Sequence, residues 1–291
     1  IINSYKKIAF LALPITGGRI LHSLIKSFEA VLIPSQLKLS GLVQAEATAL
    51  FGQLSGMVEQ VVFLPAVITT ALTISLIPNI SKNFAKNNLT IIRKNYQDVL
   101  RIITYMGIPA SLFFYIYGTE ICKLLFAYPQ AGKILSALAI AAPFIYFLQV
   151  SSGMLNGLGK PLIAVKNITI GSVINILLIY LLVSDPAWRI TGAAIASASG
   201  YILSSILNYY AIKSKIDYKL NVISVILKPL FSAIVVYIIH PYIFKSIYFV
   251  PFLISPNLQI IYILSISTII YLTIMYLLGA ITAEDIKRFK F

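Results

Sequence analysis

The sequence predicts an all-α, polytopic integral membrane helix bundle of about eight transmembrane helices. Two observations carry this. The 291 residues are 59% apolar, with a mean hydropathy of +0.90. Only 11% are Asp, Glu, Lys or Arg, against about 25% in soluble domains. So few charges cannot cover a water-soluble protein of this length. The second observation is the spacing of the apolar runs. A span needs roughly 20 apolar residues, and eight such runs with short connections use almost the whole chain. A water-soluble enzyme, a disordered chain and a disulfide scaffold are excluded; the single cysteine, Cys122, allows no intrachain bridge.

The runs follow in order. The first covers about 8–33 and is expected to end at Pro34. The second covers about 46–78 and is interrupted by Pro65. The others lie near 97–118, 134–156, 161–183, 190–212, 222–244 and 258–280. The polar stretch Ser81–Asp98 reads as a short amphipathic helix on the inner leaflet, attracted by anionic lipid. Segment 119–132 reads as an interfacial turn on the outer side. Segment 213–221 divides a six-helix lobe, 1–214, from a final helix pair and tail, 215–291. The opening run is too long for a signal peptide, carries Arg19, His22, Lys26 and Glu29, and is followed by no small-x-small cleavage site. With Ile1 at its start, the chain reads as the C-terminal part of a longer protein.

The formal charge is +14. On a soluble chain that excess suggests nucleic acid, but here the positives gather between the apolar runs, and no nucleic-acid partner is expected. Sixteen fall on one set of segments: Lys6, Lys7; Lys82, Lys86, Arg93, Lys94, Arg101; Lys160, Lys166; Lys213, Lys215, Lys219, Lys228; and Lys287, Arg288, Lys290. The alternate segments hold five: Lys38, Lys123, Lys133, Arg189 and Lys245. The positive-inside rule then predicts a plasma-membrane protein with both termini cytoplasmic and eight spans between them.

Charges inside a bilayer cost about 2.5–3.5 kcal/mol each on insertion scales, so they are candidate functional groups. In the first run Arg19, His22, Lys26 and Glu29 are spaced three, four and three apart. At about 100° per residue they share an arc of about 80°, flanked by Thr16 and Ser23. That face cannot be lipid-facing. The second run carries Gln53, Glu59 and Gln60, with Glu59 near mid-span. Pro65, near Thr69, Thr70 and Thr73, is a candidate hinge, because proline removes a backbone hydrogen bond. The preferred reading is a hydrophilic cavity in which Arg19 and Lys26 hold an anion, while Glu29 and Glu59 set the field or bind a coupling cation. The alternative is a set of internal ion pairs, Lys26 with Glu29 and Arg19 with Glu59, that only fix packing.

Other patterns are weaker. Gly157-Leu158-Gly159-Lys160 lacks the upstream glycine spacing of a phosphate loop, and Pro161 stands where Ser or Thr is needed. His22 and His240 are far apart without a cysteine partner, so no metal is expected. No paired carboxylates for glycosyl transfer are visible, and neither catalytic residues nor a cofactor is called. Gly192-Ala193-Ala194 and Ser197-Ala198-Ser199-Gly200 are small-residue faces for close helix contact.

Several of these residues also carry a resemblance. Leu13-Pro14-Ile15-Thr16 followed by Arg19-Ile20-Leu21 and Ser23 resembles the seventh-helix opening of the stage V sporulation protein B family. Glu29 to Pro34, Ala47 to Met57, Leu76 to Ser81, Asn156 to Lys160, Ile190 to Ala196 and Gly279 to Asp285 are similar to later stretches of the same family. The resemblance implies a member of the multidrug/oligosaccharidyl-lipid/polysaccharide (MATE/MOP) flippase superfamily, with two six-helix lobes around a cavity and two extra helices. This chain would then be the second lobe and the extra pair, and the missing N-terminal lobe a partner. The implied function is a flippase of lipid-linked cell-wall or polysaccharide precursors, whose anionic substrate and membrane lipids are the other partners. A cation-coupled multidrug exporter of the same fold is the alternative, followed by a non-transporting scaffold.

Overall fold

The computed structural model describes residues 2–246 and 255–281. Lys287, Arg288, Lys290 and the tail from Thr282 lie outside the described residues, as do the side chains of Lys6 and Lys7. Within them every regular element is helical. The first helix, α1, is Ile2–Leu39. The next two, α2 (Gln44–Phe63) and α3 (Ala66–Ala85), form a pair bent by 56°. They are followed by α4 (Leu89–Ile116) and the short α5 (Gly118–Phe126). The span α6 is Pro129–Gly157, with 3-10 turns at Pro129–Ala131 and Ala139–Ala141. Next come α7 (Pro161–Leu182) and α8 (Arg189–Ile216). The last two are α9 (Lys228–Ser246), entered through a π-helical turn Ile223–Leu227, and α10 (Pro256–Leu277).

Six helices are long and apolar enough to cross a membrane: α4, α6, α7, α8, α9 and α10, some with their adjoining turns. The bent pair makes a seventh. Eight were expected; α1, read from the sequence as the first of them, is 38 residues long, about 57 Å at 1.5 Å per residue, and is not among these candidates.

Four expectations need correction. The first helix does not stop at Pro34. Gln36 and Leu37 are buried beyond it, and that packing carries the helix on to Leu39. Ser81–Asp98 is not a separate surface helix. The chain turns at Lys86–Asn88, and α4 starts at Leu89, capped by Asn88 accepting from the Ile91 N–H. Ile92 and Tyr96 are buried, so this stretch packs on the bundle. Segment 119–132 is largely helical, within α5 and the start of α6. The second run breaks at Pro65 as expected, and differs only in running on to Ala85 instead of ending near residue 78.

Proline explains the break. Pro65 has no N–H for the Val61 carbonyl, which the Leu64 N–H takes instead at 3.3 Å. The hydroxyl of Tyr146 on α6, itself fully buried, donates to the Val62 carbonyl at 2.9 Å. In a bilayer such freed carbonyls need partners from neighbouring helices. Gln149 of α6 adds hydrogen bonds with Thr69 and Thr70, fastening α3 just past the break.

Helices α7 and α8 cross where a Cβ on Gly171 would lie 2.0 Å from Ser204 Oγ and 2.4 Å from the Gly200 carbonyl. The Gly200 face read from the sequence is therefore the contact that lets these backbones meet. Below the crossing Asn167 donates to Asn208 (2.9 Å), which donates to Ser151 and Ser152 of α6 (3.0 and 3.2 Å). One end of the bundle gathers the expected basic segments. Ser81 meets the Gly157 carbonyl at 2.9 Å, and Arg93 the Ile216 carbonyl at 2.6 Å. Arg101 meets the Ala280 carbonyl at 2.6 Å, and Lys228 the Gly279 carbonyl at 3.2 Å. The pair α9–α10 packs on α4 through Ala233, Val236, Tyr271 and Met275.

Candidate functional site

Helix α1 lies along α7 in parallel. A Cβ on Gly18 would sit 2.6 Å from Val165, and eleven residues on, Glu29 meets Asn175. The face that packs includes Glu29, Ile33, Gln36 and Leu37, all buried. Arg19, His22 and Lys26 continue the same stripe towards the basic end, within about 80° of arc. There the neighbours part: Arg19 and His22 are exposed. The charged face thus points at the bundle, closed at Glu29 and open at Arg19.

Lys26 is the junction. Its ammonium donates to Glu59 Oε1 of α2 at 3.0 Å and to Glu29 Oε2 on its own helix at 3.0 Å. The other Glu29 oxygen accepts from Asn175 Nδ2 at 2.7 Å. Glu29 is only 4% exposed, whereas the Lys26 side chain retains 34% of its accessibility and Glu59 15%. Burial of a carboxylate this deep requires a partner, and Glu29 has two. The cluster holds one cation and two anions, a formal −1. Tyr201 on α8 is within electrostatic reach of all three. Among the described residues the buried Asn175 Oδ1 has no hydrogen-bond partner.

The predicted residues therefore separate. Lys26, Glu29 and Glu59 come together, and Lys26 with Glu29 is the pair anticipated under the packing reading. Arg19 does not pair with Glu59; Lys26 takes that acid. Among the described residues Arg19 has no ionic partner, and His22 makes no hydrogen bond. Gln53 is buried in a π-helical turn, Gln53–Val58, immediately before Glu59, and Gln60 is exposed. Neither glutamine joins the cluster. π-Helical turns are rare and recur at functional sites. The sequence reading saw no paired carboxylates; the fold pairs Glu29 and Glu59 across Lys26, from residues 30 apart.

Asn175 was missed. Its signal was available, since Asn167 and Asn175 recur two turns apart in a largely apolar run. Two cavities lie elsewhere. One, about 690 Å³ and apolar, sits between α4, α6, α8 and α9. The other, about 530 Å³, lies between the end of α1 and the start of α2, lined by Lys38, Gln44 and Thr48 among others. The ladder opens to one side of the described helices and is not enclosed by them.

Known proteins resemble this chain in sequence and in fold. The MatE family model matches residues 54–181. Stage V sporulation protein B of Bacillus subtilis (strain 168) is 23% identical over 287 residues, covering 98% of this chain and 54% of that protein. Lipid II flippase MurJ of the same organism is 27% identical over 180 residues, 57% of this chain and 31% of that protein. The chain thus spans about half or less of these relatives' lengths. A solved structure of a MOP superfamily transporter from Pyrococcus furiosus Vc1 superposes with a TM-score of 0.53 at 18% identity, covering 94% of this chain and 69% of that one, a likeness of fold. The chain is thus similar to stage V sporulation protein B over nearly its whole length, and its residues 54–181 match the MatE family model.

Proposed function

We propose that this chain forms one lobe of a flippase that moves lipid-linked, phosphate-bearing cell-wall or polysaccharide precursors across the plasma membrane by alternating access. Residues 1–214 make the lobe, residues 215–291 the extra pair and tail, and both ends of the chain are cytoplasmic. A second, N-terminal lobe completes the cavity against the exposed face of α1. The single observation that carries this is Arg19: a guanidinium on a bundle-facing stripe, exposed, and without an acid partner among the described residues. A planar guanidinium suits phosphate oxygens in a bidentate fork. The break at Pro65 supplies the joint on which α2 moves relative to α3.

The test uses the full-length protein in vesicles with a fluorescent lipid-linked diphosphate. Arg19→Ala is expected to slow translocation at least about tenfold, the loss of one charge-assisted contact, with Arg19→Lys partly active. Unchanged translocation in Arg19→Ala defeats the reading. The excess of acid over base at Lys26 favours a second reading, a cation-coupled exporter of the same fold. It predicts that transport depends on a cation gradient and is abolished by Glu29→Gln, while Arg19→Ala is tolerated.

A further inference from the structure

The Lys26 cluster has a property that packing alone does not require. Lys26 is already neutralised by Glu29, which sits one helical turn away and is itself held by Asn175. The second acid, Glu59, comes from another helix and leaves the cluster one negative charge in excess. In a low-dielectric site a surplus carboxylate is costly. Glu59 is also placed to leave. It follows the π-helical turn Gln53–Val58 directly and precedes the break at Phe63–Ala66. Its contact with Lys26 is the side-chain hydrogen bond that joins α1 to the α2–α3 pair among the described residues. The Lys26 side chain keeps about a third of its accessibility, and Arg19 and His22, next on the same stripe, are exposed. Arg19 lies two turns along the same stripe, about 10 Å of helix rise away, a gap that the two long side chains can span from both ends.

We infer that Glu59 is a resident counter-anion, occupying on Lys26 the place that a phosphate oxygen of the substrate takes. This rests on the anion reading of Arg19. In the resting arrangement Glu59 masks Lys26, and Arg19 alone meets an incoming diphosphate. The diphosphate then displaces the Glu59 carboxylate, binds between Arg19 and Lys26, and frees α2 from α1. Glu29 keeps Lys26 in position throughout, so it acts as a positioning residue. No covalent bond changes; one carboxylate leaves an ammonium and one phosphate oxygen takes its place.

The experiment is equilibrium binding of inorganic pyrophosphate to the purified full-length protein. It compares wild type, Glu59→Gln, Lys26→Met and the double variant, with gel filtration and thermal melting to confirm the fold. Glu59→Gln should tighten binding about tenfold or more, since the competitor is gone. Lys26→Met should cancel that gain, so that the double variant matches Lys26→Met within about twofold, the signature of two coupled residues. Glu59→Asp, whose shorter arm holds Lys26 less well, should fall between and serves if the glutamine variant does not fold. Binding unchanged or weakened in both Glu59 variants overturns the exchange. So does a gain that persists in the double variant, because it would come from the general field of a removed charge. A parallel arm with a polyprenyl diphosphate in detergent should bind at least about tenfold tighter than pyrophosphate. Equal affinities, or a normal pyrophosphate affinity in Arg19→Ala, would overturn the lipid-linked reading on its own terms and leave the Glu59 result to decide the exchange.

Discussion

Two of the polar clusters among the described residues solve the same problem in opposite ways. The core cluster, Asn167, Asn208, Ser151 and the half-buried Ser152, is neutral and largely buried and links three helices by hydrogen bonds. The α1 cluster, Lys26, Glu29 and Glu59, is charged, unbalanced and open on one side. Neutral amides and hydroxyls can be satisfied by one another and then excluded from water, so they act as fasteners between helices. Ions in the same surroundings are stable only when paired and partly wet. The difference separates what holds the bundle together from what it presents to a substrate.

That separation can be broken in order of expected effect. The largest is at the α7–α8 crossing. Gly171→Leu would drive a side chain into Ser204 and the Gly200 backbone, and no rotamer avoids both. The expected result is loss of folded protein in gel filtration; a folded, fully active variant would show that the crossing is looser than drawn. Next is Asn208→Leu, which strands the Asn167 amide and frees two serines. A buried group left without its partner costs about 1–3 kcal/mol, so thermal unfolding should shift downward while pyrophosphate affinity stays unchanged. A change in affinity would mean that the two clusters are coupled. Smaller still is Tyr146→Phe, which removes one hydrogen bond, that to the Val62 carbonyl at the Pro65 break. About 1 kcal/mol is expected, read as a small drop in melting temperature together with faster amide exchange near Val62.

Much of this contrast is written in the sequence. The arc of Arg19, His22, Lys26 and Glu29 follows from helical spacing alone, and the fold turns that arc towards the bundle. Pro65 marked the break because proline withholds an N–H wherever it falls. What the sequence does not show is pairing across helices. Whether Glu59 meets Arg19 or Lys26 depends on the register of α2 against α1. That register is set by a π-helical turn, which advances the helix by one extra residue and leaves no compositional trace. Asn175 meets Glu29 from 146 residues away, through the packing of α1 on α7. The polar Ser81–Asp98 stretch misled for a related reason: its amphipathic face suits a bilayer surface and a protein surface equally well, and here it covers the end of α8.

The account depends most on the ladder being wet at Arg19 and His22 and dry beyond Glu29. Single cysteines at His22 and at Ile33, which is 2% exposed, can be placed in the full-length protein with its other cysteines removed, the buried Cys122 among them. Their reaction rates with a charged, water-borne thiol reagent are then compared with and without pyrophosphate. His22→Cys should react at least about a hundredfold faster than Ile33→Cys, since a thiol must ionise in water to react, and pyrophosphate should protect it. Equal, slow reaction at both positions would show a closed, dry ladder and contradict the account.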